Sequence, residues 1–300
     1  MFTTNQYSFG AFNLFQGVIV NAGDKNQVEN NAASCPWIGF YVYVPTPTDD
    51  TTFALMPAQH YTSPSSFAGT TNPVYMVSTH GLKLTESSST IYRVWRIRNS
   101  GSSLEELDLN LPLNSYSTPP KAPQSTGTNN LDEGGVDVKQ IAGIGDSLWL
   151  THGLTCGVSG TNQGCIRVMR LDVGQDPGGH VTASVGQSLL FSGAPGTHYW
   201  MPAIAANSIQ STVVVFLNSS ATTYLSSAFT TKSSTDTAYP AATTLLAGGC
   251  TGNSAGRTGD YQGAQTDQND GTSFWIAGEA TPAAGQCNSV WLTQIANVTP

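Results

Sequence analysis

Arg257, Asp260 and Tyr261 fall in one short stretch, Arg-Thr-Gly-Asp-Tyr. Together they offer a guanidinium that can hold an anion or hydroxyl, a carboxylate suited to general acid or base work, and a ring that can stack on a sugar face. The plainer reading is an Arg-Asp pair that orders a loop, with the tyrosine packed beneath it. Asp132, Glu133 and Asp137 form the densest acidic group of the chain. Glycosidic cleavage needs two carboxyl groups flanking one bond, and Asp260 with Asp132, Asp137 or Glu279 would supply them. An oxygen-lined Ca²⁺ site and simple solvated loop acids are the other readings of that group.

His198 and Tyr199 precede Trp200-Met-Pro and suit an aromatic-imidazole platform for a ligand, whereas Trp200 suits a core, where an indole N–H needs only one partner. His80 and His152 each follow a threonine and precede a glycine, at equivalent points of their surroundings. Such repetition reads as strand-end geometry, with His152 a candidate ligand contact and a shared metal site as the sharper alternative. No Gly-x-Ser-x-Gly elbow accompanies the many serines, so serine-nucleophile chemistry lacks its local signature. The five cysteines show no CxxC spacing, and no metal or cofactor is expected beyond an optional structural Ca²⁺. Cys156 and Cys165 flank a Gly/Ser/Asn-rich turn and suit a disulfide that clips a hairpin. Cys250 with Cys287 is the second candidate pair, which leaves Cys35 over.

The elements that must position these residues are strands. Runs such as Ile38 to Val44, Ile91 to Ile97, Ser147 to His152, Thr212 to Leu217 and Phe274 to Ala277 are short, rich in Val, Ile, Trp, Tyr and Phe, and bounded by Gly, Pro, Asn, Asp and Ser. No stretch keeps a 3.6-residue apolar stripe for three turns. Gln262 to Thr266, the turn Asp267 to Gly271, and Ser273 to Ala277 read as a hairpin. Leu104 to Leu113 alternates and ends at a proline, so it is extended. The runs group into five units, ending near Met56, Leu113, Phe191, Leu246 and the C-terminus. Ser115 to Asn130, rich in proline and hydroxyls, should cross over the surface. Each unit is a small sheet that cannot cover both its faces alone, and stacking such sheets around an axis covers them. The expected fold is all-β: a single-domain β-propeller spanning 1–300, with about five to seven four-stranded blades, the six- and seven-bladed forms lacking an N-terminal piece. A β-helix or a two-sheet sandwich is the competing architecture.

Charged residues make up 10% of the 300 residues, against roughly 25% in an average soluble domain, and the net charge is −8. Hydroxyls and amides carry solubility here. The negative balance, with only 11 Lys and Arg, argues against nucleic acid and anionic membranes as partners. No apolar run reaches the roughly 20 residues of a spanning helix. No leader is visible after Met1. Asn218-Ser-Ser and Asn297-Val-Thr match the N-glycosylation pattern.

Pro119-Pro-Lys-Ala-Pro-Gln before Leu131-Asp-Glu-Gly-Gly, together with Leu148-Trp-Leu-Thr-His152, Pro202-Ala-Ile-Ala-Ala and Arg257-Thr-Gly-Asp-Tyr-Gln, resembles a broad group of poorly characterised secreted bacterial β-propeller proteins. The likeness runs from about Tyr61 onward and implies the fold, with no activity to carry over. A second likeness is to the Asp-box turn of sialidase-type propellers, with Asn269 in the acidic position and Phe274 in the aromatic one. It implies a structural blade turn. The resulting expectation is an extracellular or periplasmic binding or scaffold module that recognises a glycan or another surface component at the channel mouth. The alternative is a glycosidase-type hydrolase using Asp260 with Asp132, Asp137 or Glu279.

Overall fold

The computed structural model describes residues 2–7, 15–23, 37–43, 55–64, 73–79, 88–98, 103–126, 131–251, 258–259, 262–285, 287 and 291–300, the first three spans as backbone strands only. Among the described residues nineteen strands follow in chain order. The first three, β1 (Phe2–Tyr7), β2 (Phe15–Gly23) and β3 (Trp37–Tyr43), form an antiparallel meander. Next come β4 (Met56–Pro57), β5 (Gln59–Thr62), β6 (Val74–Thr79), β7 (Ile91–Arg98) and β8 (Ser103–Asn110). β4, β6, β7 and β8 make a second sheet. The third carries β9 (Val138–Ile144), β10 (Ser147–Val158), β11 (Thr161–Gln175) and β12 (Val181–Phe191), with β5 added in parallel to the free edge of β9. A fourth is built from β13 (His198–Ala206), β14 (Thr212–Ser220), β15 (Thr223–Lys232) and β16 (Thr243–Leu246), and a fifth from β17 (Gly263–Thr266), β18 (Phe274–Ala280) and β19 (Leu292–Val298). A single 3₁₀ turn, Pro112–Asn114, is the helical element among the described residues.

The all-β expectation holds, and period-2 patterning explains how the sheets stack. On β10, Leu148 and Leu150 point with Ile141 and Met169 toward the second sheet, while Trp149 points with Ala142 and Val168 toward the fourth. On β14 the run Val213-Val-Val-Phe216 does the same: Val214 and Phe216 face the third sheet, Val213 and Val215 the fifth. A strand apolar at every position is what burial of both faces requires. Each such side chain withdrawn from water contributes roughly 1.5–3 kcal/mol, so the central sheets are held mainly by their neighbours.

The first strands of the last three sheets run in the same direction. At one end, the Trp200 indole donates to Thr258 Oγ1 (3.3 Å), and that hydroxyl reaches the Asp132 carbonyl (3.4 Å). At the other, Thr266 Oγ1 donates to the Ala206 carbonyl (2.8 Å). The starts of β9, β13 and β17 therefore share one rim.

Two expectations need correction. The unit boundary near Met56 is displaced, because Met56–Pro57 already pairs with β6 of the second sheet and Gln59–Thr62 pairs with β9 of the third. The Ser115–Asn130 linker, as far as it is described, is partly core: Tyr116 and Ala122 are buried, and Ala122 bridges to Leu131. Its prolines exclude it from a ladder, but they do not stop a tyrosine from packing inward. Both expected disulfides form: Cys156–Cys165 clips the β10–β11 hairpin, and Cys250–Cys287 ties the segment after β16 to the one after β18. Cys35 lies outside the described residues. No described helix is long and apolar enough to cross a membrane.

Candidate functional site

The rim shared by β9, β13 and the segment before β17 is shaped by two consecutive left-handed glycines, Gly134 (φ 69°) and Gly135 (φ 81°). Asp132 Oδ1 accepts the Gly134 N–H (2.9 Å), which closes a local turn. The turn leaves Asp132 exposed and sends Glu133 inward. Glu133 Oε1 then stands 2.5 Å from His198 Nδ1, at the start of β13. The carboxylate fits because residue 164 is glycine: a Cβ there would stand 1.8 Å from Glu133 Oε2.

The Gly164 N–H also points at His198 Nδ1 (3.2 Å). An N–H can only donate, so Nδ1 presents its lone pair and the proton in the short contact belongs to Glu133. Burial, only partly offset by His198, pushes the Glu133 carboxyl up to about 7, consistent with that assignment. Glu133 Oε2 is buried with no hydrogen-bond partner, which a neutral carboxyl tolerates better than a carboxylate does. Beside this pair, Met201 holds φ 47° immediately before Pro202, where the register of β13 against β14 shifts. A non-glycine residue in that region of backbone space is strained.

Four sequence candidates meet near this rim. Asp132 and His198 are placed as described. Asp137, largely buried, sits 3.6 Å from Lys139 Nζ, and burial raises its carboxyl despite that cation. Glu279, at the end of β18, lies against Gly259, where a Cβ would overlap its carboxylate. Tyr199, by alternation, turns the other way and packs on Phe216 and Phe191, with ring centroids 4.5 and 6.2 Å away.

His152 requires a correction, since it faces no open site. It is fully buried, its Nε2 is 3.0 Å from the Tyr92 hydroxyl, its Nδ1 is 3.0 Å from the Gly153 carbonyl, and its edge meets Tyr92 and Tyr116. Burial, aided by the nearby Arg167 charge, drives its pKa down to about 3, so the ring is neutral. Arg257, Asp260 and Tyr261 lie outside the described residues, as does His80. Among the described residues, no three His, Cys, Asp or Glu side chains converge as a metal site would require.

A different place offers open volume. Where β5, β9 and β17 approach one another, Gln140 Nε2 donates to the Ala264 carbonyl (2.8 Å). A cavity of about 310 Å³ opens there, lined by Gln59, Gln140, Gln265, Trp275 and Ile295 among others. Gln265 and Trp275 are cross-strand partners and Ala277 is opposite Ile295. Trp275 is 47% exposed and Ile295 62%. The Trp275 indole N–H is fixed by Asp267 Oδ2 (2.9 Å). The β17–β18 turn is itself fastened by Asp270, which accepts the Thr272 N–H (2.7 Å), the Ser273 N–H (2.8 Å) and the Ser273 hydroxyl (2.6 Å). Asp270, not Asn269, is thus the acid that organises this turn.

A second cavity of about 570 Å³ adjoins the first and shares Gln59 and Gln140 with it. Among the described residues no ionised side chain lines either one: His60 borders the larger, and burial lowers its pKa. Neither cavity is lined by Asp137 or Glu279. The sequence candidates omit Gln59, Gln140, Gln265 and Trp275. The one available signal was alternation in Ser273 to Ala277, which sends Phe274 inward and Trp275 out.

Comparison with known proteins returns no matching family model, no matching curated protein and no matching solved structure. Function has to be read from the chain's own geometry.

Proposed function

We propose that this chain is an extracellular β-propeller that binds a neutral glycan in the cleft between β5, β9 and β17. The propeller reading is supported by five small sheets whose strands follow chain order apart from β5, by the double-sided burial of the third and fourth sheets and by the starts of β9, β13 and β17 sharing one rim. An oxidising compartment is supported by the two disulfides.

One observation carries the binding role. An exposed, hydrogen-bonded tryptophan and three glutamine side chains line a cavity that holds no ionised group among its described residues. An indole face suits the C–H face of a pyranose, and amides match hydroxyl donors and acceptors without the desolvation cost that charges carry. Ligand sites in such architectures lie where the inner strands converge, which is where Gln140 meets Ala264.

The hydrolase reading has one observation in its favour, the near-neutral proton of Glu133, since a general acid works best with a pKa near the operating pH. Against it, the Glu133 side chain is 1% exposed and engaged by His198, and Asp137 is engaged by Lys139. A glycan array run beside a panel of chromogenic glycosides tests both. Retention without release of chromophore is the expected result, and turnover of any glycoside would replace the binding reading with the hydrolase one.

A further inference from the structure

Among the described residues, the outer edge of the fifth sheet is open. β19 pairs with β18 along its whole length without a bulge, and no described strand pairs with its other edge. The Asp267 N–H donates to the Ser273 carbonyl (2.9 Å), so in the ladder that continues from this pair the odd-numbered residues of β18 bond toward β17 and the even-numbered ones toward β19. The backbone groups of Thr293, Ile295 and Asn297 therefore point away from the sheet. Gln294 Nε2 donates to the Ile295 carbonyl (3.0 Å), a side chain standing where a further strand's N–H would.

Edges of this kind are commonly blunted by charge, a bulge or shortness. β8 carries Glu105, Glu106 and Asp108, β12 skips Gly186 in its ladder with β11, and β16 has four residues. β19 has none of these: in a chain of net charge −8, Leu292-Thr-Gln-Ile-Ala-Asn-Val298 holds no charge and no proline, and Ile295 is 62% exposed. We infer that a second copy of this chain pairs here, β19 antiparallel to β19 about a two-fold axis at Ile295. In that register Ile295 meets its own copy, Thr293 meets Asn297 and Leu292 meets Val298, so all three outward residues gain partners and no like charges face each other. A shift by two residues leaves Thr293 or Asn297 without a partner in β19. The axis stands normal to the sheet, which turns both Trp275 faces the same way, roughly 20 Å apart by strand spacing and rise. The pairing does not rest on the glycan reading, but where that reading holds one polymeric ligand can engage both clefts.

The test is sedimentation equilibrium of the whole chain without any glycan, so its failure and that of the glycan reading are distinct. The parent is expected to exchange reversibly between monomer and dimer, and Ile295→Lys and Ile295→Glu should each weaken the dimer at least about tenfold by setting like charges opposite one another. Mixing the two variants should restore association, because this register sets that position against itself. In the parent alone, hydrogen exchange at the Thr293, Ile295 and Asn297 amides should slow as concentration rises. A parent that stays monomeric, a dimer that both variants keep, a mixture that fails to associate, or exchange at these amides that ignores concentration would overturn the inference.

Discussion

Glu133 Oε1 lies 2.5 Å from His198 Nδ1, and that same imidazole nitrogen accepts the Gly164 N–H at 3.2 Å. The pair therefore joins three stretches of chain, the turn before β9, the start of β13 and β11, through a proton supplied by glutamic acid.

That proton makes stability depend on pH in a specific sense. The unfolded carboxyl releases it near 4.5 and the folded one near 7, so between these values the folded state binds more protons and stability falls as pH rises. His152 acts oppositely: folded near 3 against 6.5 unfolded, it costs stability as pH drops from 6.5 toward 3. Glu133→Gln, whose amide can donate to Nδ1 without ionising, is expected to remove the upper limb. The variant should match the parent near about pH 4 and exceed it by on the order of 2–3 kcal/mol near about pH 8. Urea midpoints at constant m-value measure this, and parallel pH profiles for the two proteins would contradict it.

Gly164 is expected to tolerate no side chain while Glu133 is present. Its Cβ would stand 1.8 Å from Oε2, so Gly164→Ala should cost about 1–3 kcal/mol through displacement of the carboxyl. With Glu133→Ala in place, the same change should cost markedly less. A double-mutant cycle with zero coupling would show that the two residues do not share that space.

The Cys250–Cys287 bond closes a loop across a sequence separation of 37. Replacing both cysteines by serine should lower stability by roughly 3–4 kcal/mol, the loop-entropy value for a span of this size. Cys250 is itself buried, so part of any further loss would reflect packing. Equilibrium unfolding in denaturant provides the comparison, and an unchanged midpoint would refute a stapling role for this bond.

Trp275 should depend on Asp267 for its orientation. Asp267→Ala removes the indole's acceptor at 2.9 Å and is expected to shift the tryptophan emission of the folded protein and weaken glycan binding several-fold. Trp275→Ala should weaken it by at least about tenfold, as for a central aromatic anchor. Because Trp275 is partly exposed while the neighbouring Phe274 is buried, the fold should survive the change.

Much of the architecture was legible because period-2 patterning is local. Val213 to Phe216 announces a strand buried on both faces, and Asp267 to Gly271 announces a hairpin turn. The parallel docking of Gln59–Thr62 on β9 was not legible, since a short run carries no record of its partner. His152 misled for a related reason: the glycine after it suggests a strand end, whereas β10 continues to Val158 and alternation turns the imidazole onto the Tyr92–Tyr116 pair. The Glu133–His198 pair spans 65 positions, and only the fold brings its members together. Trp275 was visible as an aromatic strand residue, but its exposure depends on which neighbour covers the other face of β18.

The most direct test of the glycan reading is calorimetry of the parent and of Trp275→Ala against the strongest hit from a neutral-glycan array. Saturable binding by the parent, loss of at least about tenfold in the variant at an unchanged unfolding midpoint, and no new reducing ends are expected. Equal binding by the two proteins, or no glycan retained by the parent, would contradict that reading.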